Sequence, residues 1–96
     1  MKHILNELDK AFENRIRLGI MSALVVNASL DFNNLKELLG VTDGNLASHL
    51  KSLEKSGYIK YKKEFLHRKP NTNYSATTKG KNAFKKHINA IEQLLK

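Results

Sequence analysis

The sequence contains no cysteine and no tryptophan, and only one proline among its 96 residues. Without cysteine there is no disulfide framework, no thiolate metal site and no cysteine nucleophile, and the composition suits a reducing cytoplasm. No apolar run approaches the roughly 18 residues that a membrane span needs. The opening segment MKHILNELDK lacks the apolar stretch of a secretory signal. These absences point to a soluble, cytoplasmic protein with no membrane partner. Catalytic signatures are missing too: there is no phosphate loop, no nucleophile elbow, and no carboxylate pair beside a candidate base. The four histidines, His3, His49, His67 and His87, are scattered without ligand spacing, and His87 and Glu92 lie five apart, which does not stack on a helix face. Neither an enzyme, nor a metal site, nor a cofactor is expected.

What is present is positive charge. Seventeen Lys and Arg against nine Asp and Glu give a formal net charge of +8, which favours an anionic partner. The surplus is not shared evenly. Residues 1–50 hold five basic and six acidic side chains, and residues 51–96 hold twelve and three, so the two halves carry −1 and +9. The length fits a single domain over 1–96. A chain this small buries only about 60% of its unfolded surface, so a second copy could help to stabilise it.

Periodicity places most elements. Ile4, Leu8 and Phe12 recur at four-residue spacing and predict a helix ending near Glu13. Asn14 can cap a second helix, with Ile16, Ile20 and Leu24 in one row and Met21 and Val25 beside it. Asn34 with Glu37 has capping-box spacing for a short helix that Gly40 stops. Thr42 is placed to cap the next helix, from Asp43 to about Ser56, on which Leu46, Leu50 and Leu53 form a narrow apolar stripe and after which Gly57 fits a left-handed terminus. Together these form a helix-turn-helix over about 34–57. Tyr58 to Leu66 reads as a strand, His67 to Asn73 (HRKPNTN) as a basic loop, and Tyr74 to Ala76 as the returning strand, making a hairpin over about 58–77. Thr77 or Thr78 then caps a last helix over about 78–95.

Two segments carry a family resemblance. Leu46-Ala47-Ser48-His49-Leu50-Lys51-Ser52-Leu53-Glu54-Lys55-Ser56-Gly57-Tyr58-Ile59 resembles an L-x-x-H-L-x-x-L-E-x-x-G signature ending in two hydrophobic residues. Arg68-Lys69-Pro70-Asn71-Thr72-Asn73-Tyr74, followed by Ala76-Thr77-Thr78-Lys79-Gly80, resembles R-x-P-x-x-x-Y then L-T-x-x-G. Both are patterns of winged helix-turn-helix transcription regulators of the MarR, ArsR and PadR kind, and the likeness extends over roughly 14–96. It implies a mainly α fold with a small β-hairpin and an extra C-terminal helix. It also implies a sequence-specific regulator that binds double-stranded DNA, with one helix in the major groove and the wing on the minor groove or backbone. A winged helix that binds protein and uses its charge for solubility is the alternative.

On that reading the helix after Thr42 offers Gly44 and Ser48 for close approach, Asn45 and His49 for base edges, and Lys51, Ser52 and Lys55 for phosphates or bases. Thr42 lies at the helix start. Arg68 and Lys69 at the hairpin tip suit a narrow minor groove, and Lys79 in the first turn of the last helix suits a phosphate. Lys60, Lys62 and Lys63 read as solvated strand residues. Phe84, Ile88, Ile91 and Leu95 recur at 4, 3 and 4 residues, close to a coiled-coil seam. With Ile4, Leu8 and Phe12 they form an apolar set beyond what a three-helix core needs, and they are the expected contact of a homodimer reading a pseudo-palindromic site.

Overall fold

The computed structural model describes residues 3–96; Met1 and Lys2, which the sequence reading includes in its domain, lie outside the described residues. Two short 3₁₀ turns, Ile4–Glu7 and Lys10–Phe12, precede α1 (Arg15–Val26), β1 (Leu30–Asp31), α2 (Phe32–Leu39), α3 (Asp43–Lys55), β2 (Ile59–Leu66), β3 (Lys69–Ala76) and α4 (Thr78–Leu94). The strands form an antiparallel sheet in the order β1-β3-β2.

Local chemistry accounts for the ends of the elements. Asn14 Oδ1 accepts the N–H groups of Ile16 and Arg17, both at 3.0 Å, and so starts α1. Thr42 Oγ1 accepts from Asn45 N–H at 3.2 Å at the head of α3. Thr77 Oγ1 accepts from Gly80 N–H at 3.0 Å at the head of α4. Gly40 and Gly57, with φ of +63° and +77°, close α2 and α3 in the left-handed region.

Two sequence expectations fail at caps. The cap of α2 is Asp31 rather than Asn34: its carboxylate accepts from Asn34 N–H at 2.8 Å, and the helix begins three residues earlier than the capping-box reading placed it. The expected helix from Ile4 to Glu13 is instead the two 3₁₀ turns, broken at Leu8 and Asp9. Asp9 explains the break. Its side chain accepts from Ala11 N–H at 2.9 Å, and its own N–H donates to Nδ1 of His87 on α4 at 2.9 Å. A short acidic side chain bonding the local backbone competes with a continuous helix.

The core lies between α1, α2, α3 and the base of the sheet, with Ala83 and Phe84 of α4 packed against it. Ile20, Met21 and Leu24 of α1, Leu35 of α2, and Leu46, Leu50 and Leu53 of α3 are fully buried and meet Phe12, Ile59 and Ala76. Burying each leucine of α3 contributes about 1.5–3 kcal/mol, which fixes the rotation of that helix and hence which face looks outward. Ala23 rather than Val25 flanks the α1 row, because Val25, one residue past Leu24, turns toward solvent. The radius of gyration is 14.4 Å, against about 13 Å for a compact chain of this length, and the longest extent is 54 Å. The excess fits a protruding hairpin, since β2 is exposed at every position after Ile59.

Candidate nucleic-acid interface

With Leu46, Leu50 and Leu53 turned inward, the opposite side of α3 presents Gly44, Ser48, Lys51 and Lys55, flanked by Asn45 and Ser52, and all six are exposed. The side chains are short toward the N-terminal end and cationic toward the C-terminal end. A Cβ at Gly44 would meet nothing within 4 Å among the described residues, so their packing does not require glycine there. The acid in the first turn, Asp43, is matched by Lys36 of α2 at 2.9 Å. Thr42 is exposed, with its oxygen engaged in the cap.

The hairpin corrects the sequence reading. The loop is not His67 to Asn73 but only His67 and Arg68, and β3 begins at Lys69 rather than Tyr74. Both turn residues have positive φ, +53° and +65°, the signature of a two-residue type I′ turn. Pro70 fits within β3 because its partner Phe65 is one step from the closing pair Leu66–Lys69. In such a hairpin that step is a non-hydrogen-bonded pair, so the missing N–H falls on the outer side. That side is free, since β1 covers β3 only at Asn73 and Tyr74. The wing places Arg68 and Lys69 at its tip, with Lys60, Lys62 and Lys63 exposed along β2. Phe65, at 79% exposure, and Leu66 are bare beside the tip; Phe65 reads in the sequence as one side of the strand with Ile59 and Tyr61, and neither residue is among the expected site residues.

Two further predicted site residues have side-chain partners. The ammonium of Lys79 stands over the ring of Tyr58, 5.6 Å from its centroid, at the junction of α3 and the wing. His49 is half-buried, with Nδ1 3.2 Å from a guanidinium nitrogen of Arg17. Arg17 is a residue that sequence reasoning missed. A signal existed: it is a cation in the first turn of a helix, where the macrodipole disfavours positive charge.

Tyr58 ties the junction to the N-terminal turn. Its hydroxyl donates to the Asp9 carboxylate and its ring stacks on Phe12, with centroids 5.4 Å apart. The hydrogen bond to Asp9, then burial, then the Asp9 charge push the phenol up to about 12 from its usual 10. The folded state therefore holds this proton more tightly than the unfolded one. The stabilisation is complete below pH 10 and is lost as pH rises from 10 to 12. Comparing denaturant midpoints across that window, Tyr58→Phe should show a shallower alkaline decline than the wild type; parallel profiles would remove the Asp9 contact from the account. Burial, followed by the charge of Glu54 and then Tyr61, also raises Tyr74.

The apolar set assigned to a dimer divides. Phe12 is 2% exposed and lies in the core, with Phe84 edge-on at 5.3 Å and packed against the same cluster. Phe12 is therefore consumed by its own fold, because Asp9 turns the chain inward there. Ile4, Leu8, Ile88 and Ile91 are half-buried, and Leu95, at 81%, is exposed together with Leu5 and Leu94.

A helix-turn-helix followed by a two-stranded wing and a closing helix defines a winged helix. The chain belongs to the winged helix DNA-binding domain family, whose model matches residues 16–95. It is 41% identical over 87 residues to an uncharacterized protein of Methanocaldococcus jannaschii, covering 91% of this chain and 95% of that one. Among solved structures it is similar to a transcriptional regulator homologue protein from Pyrococcus horikoshii OT3, with TM-score 0.89, 28% identity, and coverage of 99% of this chain and 95% of that chain. The fold is also that of the ytfH protein from Salmonella typhimurium, with TM-score 0.75, 24% identity, and coverage of 90% and 76%. The resemblance carried by the two motifs, to winged helix-turn-helix regulators rather than enzymes, is borne out.

Proposed function

We propose that this protein is a cytoplasmic, sequence-specific regulator of transcription that acts as a single domain and binds duplex DNA as a homodimer. α3 enters the major groove and the wing tip lies on the minor groove or backbone. The observation that carries this reading is the outward face of α3, held in place by three buried leucines and offering Gly44, Asn45, Ser48, Lys51, Ser52 and Lys55. An exposed helical glycine costs about 1 kcal/mol relative to alanine. Nothing in the packing requires Gly44, so close approach of a partner is a reason for it. Thr42 and His49 border this face. Lys79, half-committed to Tyr58, stands at its wing end.

Phosphate contacts supply sequence-independent affinity that falls with salt, and base contacts supply the choice of site. Binding to random duplex should therefore weaken steeply between about 50 and 200 mM salt, by a factor of about a thousand if six phosphates are neutralised. Selection from random duplex should enrich a two-fold symmetric motif. Affinity indifferent to salt would instead favour the protein-binding alternative.

For the dimer, the surface that remains is the C-terminal end of α4 with the N-terminal turn: Ile4, Ile91 and Leu95, bordered by Leu8 and Ile88, with Phe84 supporting from within. Sedimentation should give twice the chain mass at micromolar concentration, and Ile91→Glu with Leu95→Glu should return it to a monomer with unchanged helix content. A wild-type monomer at every concentration would sink the dimer.

A further inference from the structure

His49 lies on the shoulder of α3, between its buried stripe and its outward face, and Arg17 of α1 holds one edge of its ring. The arginine is itself fixed: its Nε donates to the carbonyl of Ala11 at 2.6 Å and a terminal nitrogen reaches the carbonyl of Lys10 at 3.5 Å. Its other terminal nitrogen stands 3.2 Å from His49 Nδ1. A guanidinium has five donors, no acceptor, and a charge it keeps in proteins. The contact is a hydrogen bond only if Nδ1 accepts, which puts the proton of the neutral ring on Nε2. Nε2 has no partner among the described residues, and no buried side-chain nitrogen or oxygen there lacks one, so Nε2 is not sealed from solvent.

We propose that Arg17 is a positioning residue for base recognition: it holds His49 in the tautomer with hydrogen on Nε2, so that the ring offers the major groove one donor and no acceptor. This rests on the DNA-binding reading above. A lone donor at that place selects an acceptor edge, O6 or N7 of guanine, N7 of adenine or O4 of thymine, and disfavours cytosine, whose groove edge carries the N4 amino donor. An imidazole free to change tautomer could also accept from that amino group, through Nε2 in its minor tautomer. Arg17 therefore confers selectivity on a neighbour without touching a base.

Two measurements test this on the full chain. In long-range proton–nitrogen spectra of the free protein, Nδ1 of His49 should resonate as an unprotonated acceptor and Nε2 as a protonated nitrogen, and Arg17→Ala should shift the ring toward a tautomer mixture. In selections from one pool of random duplexes, His49→Ala and Arg17→Ala should relax the same base-pair position of each half-site, with discrimination there falling about tenfold, while the other positions hold. The double variant should relax it no further. A proton on Nδ1 in the wild type, full selectivity in Arg17→Ala, or an even loss of affinity at every position would overturn the proposal. The wild-type spectrum needs no variant to fold. A wild type that enriches no sequence would defeat the reading beneath the proposal, while the spectrum would still report the tautomer.

Discussion

Gly80→Ala lowers the unfolding free energy by about 3 kcal/mol, the upper range for forcing a methyl into a packed interior, and lowers the thermal midpoint by roughly 12–24 °C in a domain of this size. The reason is a backbone-to-backbone approach. A Cβ at Gly80 would stand 2.0 Å from the carbonyl oxygen of Tyr58 and 2.8 Å from its carbonyl carbon. Neither atom is the free end of a side chain, so relief requires α4 to withdraw. That carbonyl accepts the Thr77 N–H at 3.0 Å, and the Thr77 hydroxyl donates to Gly57 O at 2.7 Å while capping α4. Withdrawal would loosen the bonds that fasten the wing and α4 to the end of α3. Two glycines serve as references. Gly57→Ala should cost about 1–2 kcal/mol for its left-handed φ. Gly44→Ala should add up to about 1 kcal/mol, since it meets no neighbour. Thermal unfolding followed by circular dichroism checks all three, and a Gly80→Ala midpoint at or above that of Gly57→Ala would refute the close approach.

The glycine also shows what kind of information the sequence holds. Its position in the L-T-x-x-G pattern was visible, but its cause was not, because Tyr58 lies 22 residues earlier and only the fold brings the two together. Features decided within a few residues were readable. The stripe Leu46, Leu50, Leu53 and the caps Asn14, Thr42 and Thr77 follow from helical spacing and the reach of a short side chain. Features decided across the chain were not. Ile4, Leu8 and Phe12 have helical spacing, yet the segment breaks at Asp9, which caps the next turn locally and is also held by His87, 78 residues away. Arg17 and His49 meet across 32 residues, so the candidate site showed its outward residues but not the side chain that orients one of them. Pro70 hid the length of β3, since a proline demotes a strand unless its neighbours are known.

The wing tip gives the largest expected effect on binding. Replacing Arg68 and Lys69 with alanine together should weaken binding to random duplex by about ten- to a hundredfold near 0.1 M salt and make the log–log salt slope shallower by about 2, roughly 0.9 per lost phosphate contact. The turn itself argues for a role beyond structure. A type I′ turn favours Asn-Gly, and a side chain held left-handed costs about 1–2 kcal/mol, yet His67 and Arg68 occupy both central positions. Arg68→Gly separates the two roles. It relieves the backbone, so stability should hold or rise by up to about 1 kcal/mol, and it removes a cation, so affinity should fall across all sequences with a slope change near 1. A residue kept only to shape the turn would lose neither affinity nor slope on becoming glycine. Opposite movement of stability and affinity therefore identifies strain retained for binding, whereas unchanged affinity and slope in the double alanine variant would take the wing out of the interface and leave recognition to α3 alone.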